Sequence, residues 1–289
     1  MKVFYHGSDM DGICSAAIIY QKLTDIYTLA NDKYISINYK EKFPFDSIKK
    51  GEKVIIVDFS IQAEGGFERL FKITQDVIWI DHHKTAIERN GHLPIKGVRD
   101  IEQAACFLTW DYFFPDRKMP YIVKLLADYD MWKFDYGEDT NALQCGIRLE
   151  DTNPAHVNWF YWLGFRDYLP EIIIVNKLIK EGKTALKYRN NTYCSLIKSW
   201  SFEVEFEGHK SIACNAGSVS SQLFDSVANK EQYDLFIPFI WDGERWTISL
   251  HTEKDDIDVS ELAKKYGGGG HRKAAGFQCS SLPFAILQR

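Results

Sequence analysis

Residues 53–83 read KVIIVDFSIQAEGGFERLFKITQDVIWIDHH. Two apolar runs, Lys53-Val-Ile-Ile-Val57 and Asp76-Val-Ile-Trp-Ile80, flank a stretch with helical spacing at 67–74. Short runs that are apolar at nearly every position fit strands buried on both faces, as in a parallel sheet covered by helices. Each run ends in chemistry: Asp58-Phe-Ser60 follows the first, Asp81-His82-His83 the second. The stretch therefore predicts a βαβ unit whose strands deliver carboxylates and imidazoles to one edge.

Working outward, Lys2-Val-Phe-Tyr5 reads as another strand. It leads into His6-Gly-Ser-Asp9-Met-Asp11-Gly12 and a helix over 12–23. Downstream, 104–114 and 121–127 read as helices, with Pro115 and Pro120 between them, and the second runs into Asp128-Tyr-Asp130. The aromatic-rich stretch 153–169 fits no element clearly. Residues 170–188 predict a long helix with proline near its start. After Asn190 the texture changes to short strand-like runs at 202–206, 211–214, 235–241 and 245–251. A helix over 258–266, capped by Asp258 or Ser260, then meets four glycines. The predicted fold is α/β. A parallel-sheet N-terminal domain with helices on both faces spans 1–170. A helical linker spans 171–190, and a smaller mixed-sheet α/β domain spans 191–289.

The 289 residues fit two ordinary domains, and the formal net charge is −5. That acidity argues against binding long duplex DNA, which needs a broad basic surface. The six cysteines are scattered without a CxxC pair, so free thiols in a reducing cytosol are expected. No targeting segment and no membrane-length apolar run is visible, giving the expectation of a cytoplasmic protein with no membrane partner.

Four clusters rich in aspartate, two of them also carrying histidine, thus sit at the ends of predicted elements. Three lie at the carboxyl edge of the predicted sheet, where open α/β sheets bind ligands. Each cluster alone has an ordinary reading, as a turn, a helix cap or an exposed histidine pair. Their repetition at successive element ends does not. Crowded carboxylates repel unless cations compensate them. A mixed carboxylate and imidazole set suits Mn²⁺, Zn²⁺ or Fe²⁺ better than Ca²⁺. A fifth signal is Gly267-Gly-Gly-Gly270-His271-Arg272. It reads either as a flexible loop or as an anion-binding segment. In the second case backbone N–H groups approach phosphate, a helix beyond adds its dipole, and arginine grips the oxygens.

Together HGSDMDG, VDFS, IDHHKTA, LADYDMW and YGGGGHRKAAGF resemble the DHH phosphoesterases that carry a DHH-associated C-terminal domain with a GGGH motif. The resemblance runs from His6 to Phe277. It implies a hydrolase of phosphate esters holding two divalent metal ions, manganese first, with magnesium or cobalt as alternatives. By resemblance His6, Asp9, Asp11, Asp58, His82 and Asp128 are metal ligands, with Asp58 bridging. Asp58 and His83 are the catalytic pair, and His83 contacts the scissile phosphate. Gly268, Gly269, Gly270, His271 and Arg272 hold substrate, so closure of the domains would complete the site. The metals, about 3.5–4 Å apart, would activate a water for in-line attack.

The chain also departs from that pattern. The spacing between His6 and Asp9 is one residue shorter than in many relatives. Ser249-Leu-His251-Thr252 stands where many carry an arginine, leaving Arg245 or Arg272 to replace it. Asp130 competes with Asp128 as fourth-motif ligand; Asp128 is preferred because it directly follows the apolar run. The expected substrates are short oligonucleotides or dinucleotides, in the manner of nanoRNases. The alternatives are a 3′-phosphoadenosine 5′-phosphate phosphatase and a RecJ-like single-strand exonuclease. A reading from another class is a non-catalytic nucleotide or RNA sensor. Trp132 reads either as a base-stacking platform or as core. The sequence leaves the oligomeric state open, a homodimer included.

Overall fold

The computed structural model describes residues 1–23, 33–39, 41–165 and 170–288. Part of the unassigned aromatic stretch, 166–169, lies outside the described residues. The chain divides into two compact units, Met1–Leu186 and Lys187–Arg289.

The first unit is built on a four-stranded sheet. Its strands are β1 (Lys2–His6), β2 (Tyr34–Ile37), β3 (Val54–Val57) and β4 (Val77–Ile80), in spatial order β2-β1-β3-β4. Every neighbouring pair is parallel, with Tyr5 beside Val57 and Val57 beside Ile80. All four carboxyl ends therefore lie on one edge. The near-continuous apolar runs fill both faces by simple alternation. Val3, Tyr5, Ile55, Val57, Ile78 and Ile80 point into one core; Phe4, Val54, Ile56, Val77 and Trp79 point into the other. The first core is closed by α1 (Met10–Leu23), α4 (Ala105–Phe113), α5 (Tyr121–Asp130), α6 (Glu138–Ile147) and α7 (Val157–Trp162). The second is closed by α2 (Gly66–Phe71) and α3 (Lys84–Asn90). The expected parallel sheet with helices on both faces is observed. Strand β2 and helices α6 and α7 carried too little periodicity to be read from sequence.

The helix expected to start near Pro170 is α8 (Glu171–Trp200), and it runs beyond the change of sequence texture at Asn190. The second unit is a seven-stranded mixed sheet. It comprises β5 (Ser201–Phe206), β6 (His209–Asn215), β7 (Leu235–Trp241), β8 (Trp246–His251), β9 (Gly269–His271), β10 (Ala274–Cys279) and β11 (Ala285–Gln288), in order β11-β5-β6-β7-β8-β10-β9. Only β6 and β7 pair in parallel. Helix α9 (Val259–Lys265) packs on one face beside Phe206, Ile248 and Phe277. Of the six cysteines, all free, three are buried and three are partly exposed.

The glycine run closes α9, where the sequence pattern ends its helix, but no helix starts beyond it among the described residues, contrary to the second expectation. Gly267, at φ +77°, donates its N–H to the Lys264 carbonyl, and Gly268 donates to Ala263, each at 3.0 Å. These two bonds are a Schellman termination, which needs a left-handed residue at that point. The chain then turns directly into the β9–β10 hairpin. At the other end of α9, the Asp258 carboxylate accepts the Ser260 N–H at 3.0 Å and its hydroxyl at 2.6 Å, so Asp258 is the cap. Asp258→Ala is expected to lower the stability of the second unit by about 1 kcal/mol. Urea denaturation followed by a tryptophan signal would measure this, and an unchanged midpoint would contradict the capping role.

Candidate functional site

Each of the four parallel strands delivers a side chain to the same edge. His6 is the last residue of β1, and Tyr39 lies two beyond β2. Asp58 follows β3, and Asp81, His82 and His83 follow β4. Asp9 and Asp11 arrive from the turn into α1. Gly12 permits this turn: a Cβ there would sit 2.0 Å from the His6 carbonyl oxygen and 3.0 Å from Asp58 Oδ2. Asp58 itself adopts φ +52°, a left-handed backbone that non-glycine residues seldom take and that concentrates at functional sites.

Three overlapping sets of donor atoms converge here, each within 4.8 Å: His6, Asp9 and Asp58; Asp58, His82 and His83; and Asp11, His82 and Asp130. His82 Nε2 is 3.3 Å from Asp58 Oδ1, 3.4 Å from Asp130 Oδ2 and 3.7 Å from Asp11 Oδ2. His6 Nδ1 is 2.9 Å from Asp9 Oδ2 and 3.6 Å from Asp58 Oδ2. Those two approaches are close enough for charge attraction but lack hydrogen-bond alignment. Both Asp58 oxygens, Asp130 Oδ2 and His6 Nδ1 are buried without a hydrogen-bond partner. Buried polar atoms are normally satisfied, so four orphans within these overlapping donor sets indicate missing partners. Divalent cations fit such carboxylate and imidazole donors.

The electrostatics of the cluster agree. Burial, then the facing Asp11 and Asp9 carboxylates, push the Asp58 carboxyl well above its ordinary range. Asp130 is pushed up by burial and by Asp11, against the pull of His82. Burial alone would lower His6, but the Asp58 and Asp9 carboxylates outweigh it and raise the imidazole from 6.5 to about 10. Burial would raise Asp9, yet the His6 imidazole and the Gly12 N–H hold it below its usual value.

The motif residues divide into different tasks. Both Asp11 oxygens accept backbone N–H groups at the start of α4, Ala105 at 2.8 Å and Cys106 at 2.7 Å. Its side chain therefore ties α1 to α4 as well as facing His82. Asp81, which carried no assigned role at the sequence level, is fully buried. It accepts the His82 N–H at 2.8 Å, the His83 N–H at 3.2 Å and His83 Nδ1 at 2.7 Å. Its other oxygen accepts Trp79 Nε1 at 3.2 Å. This fixes the His83 ring with Nε2 as the outward nitrogen.

The structure does not bring Asp128 to the cluster. Its carboxylate accepts the Asp135 N–H at 2.9 Å and the Thr140 hydroxyl. It also lines a separate cavity of about 470 Å³ with Lys124, Ala127 and Met131, the i, i+3, i+4, i+7 face of α5. Asp130, two residues on, lies off that face and beside His82. The apolar run gave no way to choose between them, because the helix continues through both residues and its rotation decides which side chain points where. In the second unit Gly269 and Gly270 lie within β9, with Gly268 directly before it. His271 and Arg272 are exposed, and the Arg272 guanidinium donates to the Asp255 carbonyl at 2.5 Å.

Tyr39 was not found by sequence reasoning, since β2 carried no strand signal. Its ring stacks on Phe59 at 5.1 Å and meets His6 at 5.0 Å and His83 at 5.5 Å.

Comparison with known proteins places these features in a family. Residues 2–129 match the DHH family N-terminal domain and residues 212–285 match the DHHA1 domain. The chain is 28% identical to an uncharacterized protein of Acanthamoeba polyphaga mimivirus, over 97% of this chain and 68% of that one. It is 25% identical to oligoribonuclease NrnB of Bacillus subtilis, over 94% of this chain and 71% of that one. The fold is shared with the DHH domain of a protein described as a member of a ribosomal protein family. That match has a TM-score of 0.60 at 12% identity, over 99% of this chain and 82% of that one. It is also shared with a pGpG-specific phosphodiesterase of Vibrio cholerae, with a TM-score of 0.52 at 14% identity, over 97% and 94%.

The raised His6 and Asp58 values give the metal-free protein a defined pH response. A group whose folded value lies above its unfolded one stabilises fully below the unfolded value and loses that contribution as pH rises. For His6 the window is 6.5 to about 10. In chelator, urea midpoints are therefore expected to fall across this interval. His6→Gln is expected to flatten the fall, and Mn²⁺ to reduce it by replacing the protons. A metal-free stability that rises over the interval would contradict the cluster's charge balance.

Proposed function

The chain belongs to the DHH family of phosphoesterases and carries a DHHA1 domain; from that premise we propose that it hydrolyses phosphodiester bonds of short oligonucleotides or dinucleotides with the help of divalent metal ions, Mn²⁺ first. The observation that carries the reading is the fully buried Asp58, shared by two of the donor sets, with neither oxygen hydrogen-bonded. His6, Asp9 and Asp58 would hold one cation. Asp11, Asp58, His82 and Asp130 would hold a second. Asp130 takes the ligand role that the sequence resemblance gave to Asp128.

Bound divalent ions supply Lewis acidity toward phosphoryl oxygens and lower the pKa of water. The remaining work falls to the chain. Asp81 orients the His83 ring through Nδ1, so Nε2 is the nitrogen left toward the substrate, and as the imidazolium it would donate to a phosphate oxygen. Asp11, locked by the α4 N–H groups, keeps its position as charge changes beside it. Asp128 anchors the segment after α5 through Thr140 and the Asp135 N–H, which fixes the approach of Asp130. Short substrates are supported by the likeness to the Bacillus oligoribonuclease and by the acidic net charge. Gly268, Gly269, Gly270, His271 and Arg272 remain the proposed substrate-holding segment, and the division into a catalytic domain, a helical connector and a substrate domain is part of the same reading.

Asp58→Ala and Asp130→Asn are expected to reduce Mn²⁺-dependent cleavage of a labelled pentanucleotide by at least about 10²-fold. Asp128→Asn is expected to keep measurable cleavage while lowering unfolding free energy by about 1–3 kcal/mol. Cleavage assays with Mn²⁺ and with chelator, paired with urea denaturation, separate these outcomes. Full metal-dependent activity in Asp58→Ala would remove the assignment.

A further inference from the structure

We infer that Tyr39 is a catalytic residue of this centre, its hydroxyl donating a hydrogen bond to a non-bridging oxygen of the bound phosphate beside His83. The inference rests on the phosphoesterase reading and adds a residue to it.

The placement comes from topology. The sheet has four parallel strands, and three of them end in motif residues. Strand β2 is the edge strand next to β1, and Tyr39 stands two residues beyond its end. Its hydroxyl is 3.3 Å from each ring nitrogen of His83. Among the described residues it has no other hydrogen-bond partner. The Asp81 carboxylate already takes His83 Nδ1 at 2.7 Å, leaving Nε2 as the nitrogen available to the phenol. A phenol both accepts and donates. Beside a neutral imidazole its proton goes to the Nε2 lone pair, and a phosphate oxygen arriving next to Nε2 offers that same proton a charged acceptor.

The ring is held for that purpose. It stacks on Phe59 with 27° between planes, and Phe59 is 1% exposed and follows Asp58 directly in the chain. The same ring touches His6. One rigid platform therefore sets the phenol relative to residues of two of the donor sets. The carboxylates of Asp81, Asp58, Asp9 and Asp130, after burial itself, all oppose ionisation of this phenol. Preorganised donors of this kind contribute about 10²–10³-fold to turnover where charge develops on oxygen.

Tyr39→Phe deletes the hydroxyl and keeps the stacked ring. Its kcat on a short oligonucleotide with Mn²⁺ is expected to fall by about 10²-fold. Mn²⁺ affinity by calorimetry is expected to match the native protein. The affinity of the Mn²⁺-loaded protein for inorganic phosphate is expected to fall by about tenfold, the loss of one hydrogen bond to an anion. Tyr39→Ala should in addition shift the His83 ring resonances in histidine-labelled NMR spectra, because the platform is lost. Native kcat with native phosphate affinity in Tyr39→Phe would remove the residue from the site. Equal losses of Mn²⁺ binding and turnover would reduce it to a structural prop. A native protein that cleaves no phosphodiester, yet binds phosphate in a Tyr39-dependent way, would remove the hydrolase reading and keep Tyr39 as a phosphate ligand.

Discussion

Negative charge forced together under burial is the constraint around which the first unit is organised. Asp9, Asp11, Asp58 and Asp130 crowd one edge of the sheet with His6 and His82 between them. Coulomb repulsion among carboxylates at such separations is large once water is excluded. Without cations the cluster responds in the only way open to it, by holding protons: Asp58 and Asp130 are pushed up, and His6 reaches about 10. Divalent cations relieve the same repulsion without protonating the ligands. The orphaned oxygens of Asp58 have no protein donor that would compete with such a cation.

Around this centre the aspartates do unequal work although they look alike in sequence. Asp58 and Asp130 have oxygens with no protein donor and are free to face a cation. Asp11 is half engaged, since α4 presents two N–H groups to it and a helix N-terminus favours negative charge. Asp81 is wholly engaged, with backbone and imidazole donors on one oxygen and the Trp79 indole on the other. Asp128 is engaged away from the cluster. What separates a ligand from an orienting group is the count of donors already spent on each carboxylate.

The second unit shows how one glycine run serves several geometric needs. Gly267 ends α9 in the left-handed conformation, and the next residues enter a tight hairpin with β10. The same small residues leave the backbone of Gly269 and Gly270 exposed on an edge strand, with His271 and Arg272 beside it.

The sequence alone determined the parallel sheet and the edge that carries the chemistry. Runs such as Val54–Val57 and Val77–Ile80 fill two cores by alternation, and a strand so buried must end where polar residues begin. It also determined most of the cluster, because His6 ends β1, Asp9 and Asp11 lie in the turn from β1 into α1, Asp58 follows β3, and His82 and His83 lie just beyond β4. Tertiary structure decided the rest. Helix rotation put Asp130 beside His82 and turned Asp128 toward Thr140, a choice that two residues of equal chemistry cannot reveal by spacing. Strand β2, with the weak pattern Tyr-Ile-Ser-Ile, gained its place by pairing with β1, and only that pairing carried Tyr39 to the site. That a helix ends at the glycines was legible in sequence, but that the chain beyond them forms a strand and not a helix depended on the pairing of β10 with the distant β8, which no local window contains.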